Sequence, residues 1–237
     1  GFLSSLYLAK QMAAKGNLDL ACQTASRAVE ESFSKLSSTF NQRHHQVKKP
    51  VLVLKSLIDL NLTKEAKRCS EVFLQDRPND IALLRITSQI AEKDGDEDRA
   101  IGYAEMVVLL QPQNLVFRRE LARLLENQKQ WAGALQQRRF IYDNEENPKE
   151  DDQIGLANCA IKADVPNLAI DVCDLLLASQ PDHGIAHTLK GQALIALGRL
   201  DEAMDHLSRA TLLSADSPRP WVALADAQRI KGDSQRS

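Results

Sequence analysis

The sequence predicts an all-α protein, an α-solenoid of about six and a half helix-turn-helix units, and three ladders of residues in one phase predict it. The first ladder is alanine, at Ala21, Ala66, Ala100, Ala134, Ala169 and Ala203, with intervals of 45, 34, 34, 35 and 34 residues. The second stands five residues before each alanine, at Gly16, Asn61, Gly95, Lys129, Asp164 and Gly198, and recurs at Gly232. The third is Pro78, Pro112 and Pro181, each twelve residues after an alanine, with Pro148 shifted to fourteen. Glycine, asparagine and aspartate tolerate a positive φ, so the second ladder reads as one tight turn made repeatedly, with Lys129 the exception in residue type. The prolines fall where a helix must stop.

Between these marks the apolar residues keep a helical period, as in Leu189, Leu194 and Leu197 before a turn and Ala203, Leu207, Ala210 and Leu213 after it. Each unit is therefore a pair of antiparallel helices. Alanine recurs because two helices approach closely only where a small side chain separates them. The stretches Gly191-Gln192-Ala193-Leu194, Gly198-Arg199-Leu200-Asp201-Glu202-Ala203 with Leu207 and Ala210, and Trp221-Val222-Ala223-Leu224-Ala225 resemble the tetratricopeptide repeat. The resemblance covers nearly the whole chain and implies a right-handed superhelix with a concave groove for a peptide or a partner helix.

In this phase the chain divides into units 2–35, 47–80, 81–114, 115–149, 150–183 and 184–217 and a partial unit 218–237, read as a single array over 1–237. Residues 36–46 are surplus, expected to extend a helix and form a loop. The 115–149 unit carries one extra residue in the acidic stretch Asp143 to Pro148. The last unit stops just beyond Gly232, which leaves an apolar face without its second helix and predicts that the native chain continues past Ser237. An initial Gly1 in place of Met likewise predicts an excised segment.

Composition excludes several function classes. The chain is 43% apolar and 5% aromatic, and 30 basic against 32 acidic side chains leave a net charge of −2. That denies nucleic acid both a general electrostatic attraction and a supply of stacking surfaces, and it denies an anionic membrane the former. No apolar run approaches the roughly 20 residues that cross a bilayer, and Gly1 to Ser5 lack the basic region of a signal peptide. Cys22, Cys69, Cys159 and Cys173 form no C-x-x-C pair, so reduced, buried thiols are expected, which favours a reducing compartment such as the cytoplasm. Phosphate-loop, dinucleotide, nucleophile-elbow and zinc-protease motifs do not occur, so no catalytic residue, cofactor or metal is assigned.

Weaker features receive structural readings. His183, His187 and His206 share one unit but lack a cysteine at ligand spacing, and read as surface histidines near Pro181. His44 and His45, beside Arg43, Lys48 and Lys49, read as an exposed basic connector. Cys159 and Cys173 read as packing residues. Trp131 and Trp221 fall at repeat positions that are normally large and buried. The acidic runs Asp94 to Asp98 and Glu145 to Asp152 read as solvated turns that cap helices.

Function is sought on the face the core leaves over. On a helical wheel, unit positions 2, 5, 9, 12 and 13 lie roughly 140° from the packed positions 4, 7, 8 and 11. Reading that face gives Lys48, Lys55, Arg85, Gln89, Arg119, Arg123, Asn158 and Gln192 as candidate partner-binding residues. Arg85/Gln89 and Arg119/Arg123 are i, i+4 pairs set 34 residues apart, expected to form one patch suited to carboxylates. Asp59, Glu92, Glu126 and Asp151 share the face and could neutralise the arginines. The chaperone-tail carboxylate clamp known in some tetratricopeptide proteins is absent, since Glu120, Asp151 and Gly155 stand where its amide and basic residues belong. The expected function is a non-catalytic scaffold that binds an acidic or amide-rich protein segment around residues 81–149, with oligomerisation through exposed array ends. The alternatives are a recruiting region of a longer enzyme and an envelope or assembly factor; sequence on either side of the chain separates the three.

Overall fold

The computed structural model describes residues 2–15, 17, 20–21, 23–25, 27–29 and 50–234. Among the described residues all regular structure is helical. The chain falls into two compact units, Gly1–Phe117 and Arg118–Ser237. The first holds α1 (Phe2–Ala14), α2 (Pro50–Asp59), α3 (Thr63–Asp76), α4 (Ile81–Asp94) and α5 (Glu97–Leu110), with further helical residues among 20–29. Helix α6 (Leu115–Asn127) spans the division. The second unit continues with α7 (Trp131–Asn144), α8 (Glu150–Lys162), α9 (Pro166–Ser179), α10 (Gly184–Ala196), α11 (Leu200–Leu213) and α12 (Pro218–Ser234).

One turn geometry joins the helices of each pair. Asn61, Gly95, Lys129, Asp164 and Gly198 all take a left-handed conformation, with φ of 58°, 78°, 58°, 60° and 73°. At each, the following amide donates to a carbonyl five residues back: Leu62 to Leu57 at 2.9 Å, Asp96 to Ala91 at 2.9 Å, Gln130 to Leu125 at 2.9 Å, Val165 to Ala160 at 2.8 Å and Arg199 to Leu194 at 2.9 Å. This is the Schellman closure, which satisfies the carbonyls a helix end leaves open. Lys129 was the exception in residue type, yet its backbone conforms; the geometry is set by the pairing of α6 with α7, and the lysine bears the local strain. Gly232 departs the other way. It lies inside α12 and not at a turn, because no second helix follows among the described residues to fold back on it.

The alanine ladder is the spine of both cores. Ala21, Ala66, Ala100, Ala134, Ala169 and Ala203 are all fully buried, at 0% exposure. Close approach is visible between α4 and α5, where the Ser88 hydroxyl donates to the carbonyl of Ala100 at 2.7 Å. Val53, Leu57 and Leu83 pack around Ala66 in the first unit, and Leu156, Leu194 and Leu207 around Ala169 and Ala203 in the second. Helix starts are capped where the sequence offers a cap: Asp80 accepts from Ala82 and Leu83 at 3.0 and 3.1 Å, and His183 Nδ1 accepts from Ala186 at 3.0 Å. Residues 36–46, Gly16, Cys22, His44, His45 and Lys48 lie outside the described residues.

Candidate functional site

The candidate groove residues do not share one fate. Lys55 on α2 and Gln89 on α4 are exposed. Arg85 on α4 is half-buried, its guanidinium 4.8 Å above the Phe117 ring, a cation–π contact within the first unit. In the second unit Arg123 is exposed, and Asn158 on α8 and Gln192 on α10 are half-buried. Arg85 with Gln89 and Arg119 with Arg123 thus fall in different compact units.

Arg119 is committed inside the protein. Its Nε lies 3.1 and 3.0 Å from the two carboxylate oxygens of Asp152, its Nη2 lies 2.7 Å from one of them, and Nη2 also meets Glu145. Hydrogen bonding to Asp152, the larger influence, raises the Arg119 pKa against the opposing effect of burial. Asp152 in turn reaches Arg138 Nη1 at 3.4 Å, and Arg138 donates from Nε to Glu126 at 2.6 Å. Burial works against the charge on Arg138, and the Glu126 carboxylate overcomes it, so this pKa too is raised. The acidic run Glu145 to Asp152 is therefore not simply solvated: the Asp152 side chain is 3% exposed and ties α6, α7 and α8 together. Gly155 makes room for this, since a Cβ there would stand 2.8 Å from the Arg138 guanidinium carbon.

The described thiols are inert. Burial foremost pushes Cys69, Cys159 and Cys173 up to about 12, and at Cys159 the Glu126 carboxylate, to which its Sγ donates at 3.2 Å, is part of the cause. All three are free.

His187 is no surface histidine; it is buried at 4% exposure. Its Nε2 lies 3.0 Å from the Pro181 carbonyl, which can only accept, so that nitrogen carries the proton. Its Nδ1 then accepts from His206 Nδ1 at 2.8 Å, and a ring-to-ring bond links α10 to α11. Burial chiefly lowers both pKa values, assisted by Lys190. His183 caps α10 through Nδ1 and donates from Nε2 to Glu150 at 2.9 Å. No group of three or more metal-ligating side chains gathers among the described residues.

An open site lies beside Gln192. A cavity of about 250 Å³ is lined by Ile185, Thr188, Leu189 and Gln192 of α10, Ser214 and Ser217 of the connection, and Arg219 and Pro220 of α12. Ile185, Thr188 and Gln192 hold unit positions 2, 5 and 9, the face the wheel assigns to partners. Sequence reading chose only the polar members of that face and passed over Ile185, 47% exposed, and Val222, 61% exposed. The same positions, read without regard to polarity, would have found both. Trp221, expected to be buried, is 53% exposed, because α12 meets no later described helix on that side.

The comparisons agree with this architecture. Residues 160–227 match the tetratricopeptide repeat family. No curated protein sequence matches the chain. Among solved structures, YrrB, a TPR protein with an unusual peptide-binding site, superposes with a TM-score of 0.64 at 13% identity, covering 79% of this chain and 96% of its own. MamA superposes with a TM-score of 0.58 at 15% identity, covering 70% and 93%. A tetratricopeptide repeat protein from Parabacteroides merdae ATCC 43184 covers 99% and 88%, with a TM-score of 0.57 at 12% identity. At such identities the likeness is one of fold.

Proposed function

We propose that this tetratricopeptide-repeat protein is a non-catalytic scaffold that holds a segment of a partner protein on the open face of its first helices. The fold itself suggests protein–protein interaction. The observation that carries the reading is the cavity beside Gln192: three residues at the face positions of α10 line an open space shared with the first turn of α12. The absence of a catalytic role is supported by the state of the reactive groups, since the described thiols are held protonated and His183 and His187 are engaged at both ring nitrogens. The partner segment is acidic or amide-rich. Arg119 contributes nothing to it, being saturated by Asp152 and Glu145, so the basic character of the face rests on Lys55 in the first unit and on Arg219 in the second.

The test is affinity capture from extract of the source cells with the wild-type chain and with Asn158→Glu/Gln192→Glu, which sets like charge against an acidic segment on the face of α8 and α10 while leaving the buried stripe intact. A partner held by the wild type and lost by the double variant supports the scaffold; equal capture by both refutes this placement.

A further inference from the structure

We propose that the cavity between α10 and the first turn of α12 is a subsite for an aliphatic side chain of the bound segment, with a carboxylate next to it in sequence docking on Arg219. This deepens the scaffold reading and rests on it.

Size argues first. Cavities that hold drug-sized ligands or cofactors begin near roughly 300 Å³, and this one is about 250 Å³, the scale of one or two side chains. Its chemistry divides in two. Leu189, 3% exposed, with Ile185 and Pro220, supplies an apolar floor and wall, while Gln192, Ser214 and Ser217 supply polar groups along the rim for a peptide backbone. The Thr188 hydroxyl donates to the Gly184 carbonyl of its own helix at 2.8 Å.

Charge argues second. Three basic groups of the neighbouring helices are neutralised within the chain: Lys190 by Asp174 at 2.5 Å, Arg199 by Glu202 at 2.6 Å and Arg209 by Asp182 at 2.7 Å. Arg219 is exposed, and among the described residues no carboxylate pairs with it, Asp216 of the adjoining loop included. It stands three residues before the exposed Val222, so the two share one face of α12. A cation at the lip of an apolar cavity selects a segment in which an acid flanks Leu, Ile or Val.

Selection from a phage-displayed library of random dodecamers tests this, on the wild-type chain, Arg219→Glu, Ile185→Asp and the exposed control Arg139→Glu, each first checked for wild-type helicity. The wild type should enrich peptides with Asp or Glu within two positions of an aliphatic residue. A synthetic peptide of that sequence should bind Arg219→Glu and Ile185→Asp at least about tenfold more weakly and Arg139→Glu unchanged. Enriched peptides that bind all four proteins alike overturn the subsite while leaving the scaffold reading standing. No enrichment on the wild type sinks both.

Discussion

The repeated left-handed turn offers a test in which the same perturbation runs in opposite directions at two places. Lys129 and Gly95 occupy equivalent turns, with φ of 58° and 78°, and both are closed by the same pair of backbone bonds. A Cβ built on Gly95 meets nothing within 4 Å, so the turn resists a side chain only through its own backbone. For an L-residue the left-handed conformation costs roughly 1–2 kcal/mol, and glycine returns part of that, roughly 0.5–1 kcal/mol, through the extra freedom of its unfolded chain. Lys129→Gly should therefore stabilise the second unit by about 0.5–1 kcal/mol, and Gly95→Ala should weaken the first by a similar amount.

In a chain of this length such a change moves the melting temperature by about 2–4 °C per kcal/mol. Because repeat units open in part and not all together, hydrogen exchange is the sharper assay. The amides of α6 and α7 should exchange more slowly in Lys129→Gly, and those of α4 and α5 faster in Gly95→Ala, with each variant silent in the other unit. A loss of protection in Lys129→Gly would refute the reasoning, since it would mean that the lysine side chain, and not the helix pairing, holds the turn.

Three further outcomes follow from the second unit. Asp152→Ala should cost about 3 kcal/mol by urea denaturation, the low end for breaking a buried ion pair, because Glu145 and Glu126 remain to neutralise Arg119 and Arg138. Gly191→Ala should cost about 1–3 kcal/mol in the same assay, since a Cβ there would sit 2.5 Å from Cγ of the fully buried Leu207. The folded pKa values of His187 and His206 are depressed, so the unfolded chain binds protons first and stability should fall as the pH drops through about 6.5; thermal melts from pH 8 to 5 should show it, and His206→Gln should flatten the profile.

The sequence disclosed what is periodic. An alanine every 34 residues can be read because burial between helices recurs with the unit, and all six alanines proved to be sealed. The turns were equally legible, and Lys129 shows why residue type is the weaker clue: geometry is imposed by the packing on either side, and one unfavourable residue does not undo it. What stayed hidden depends on partners at non-repeating separations. Asp152 belongs to an acidic run that reads as a solvated, helix-capping turn, and only the fold brings Arg138, from the preceding helix, onto its other side. His187 reads in sequence as one of several surface histidines because its partner His206 lies across a hairpin, 19 residues away.

These irregularities bear on how such a scaffold could be selective. A perfect repeat would present the same face in every unit and could not tell one register of a bound segment from the next. Here the face changes from unit to unit: on α6 the arginine at unit position 5 is drawn into the Asp152 network, whereas on α10 that position is a threonine beside a cavity, with an uncommitted arginine entering from α12. Each change uses a residue that the buried stripe does not need, so it costs the fold little. On the scaffold reading, register is fixed where the chain departs from its own repeat, and Arg219 is one such place, a cation beside a cavity without a paired carboxylate among the described residues.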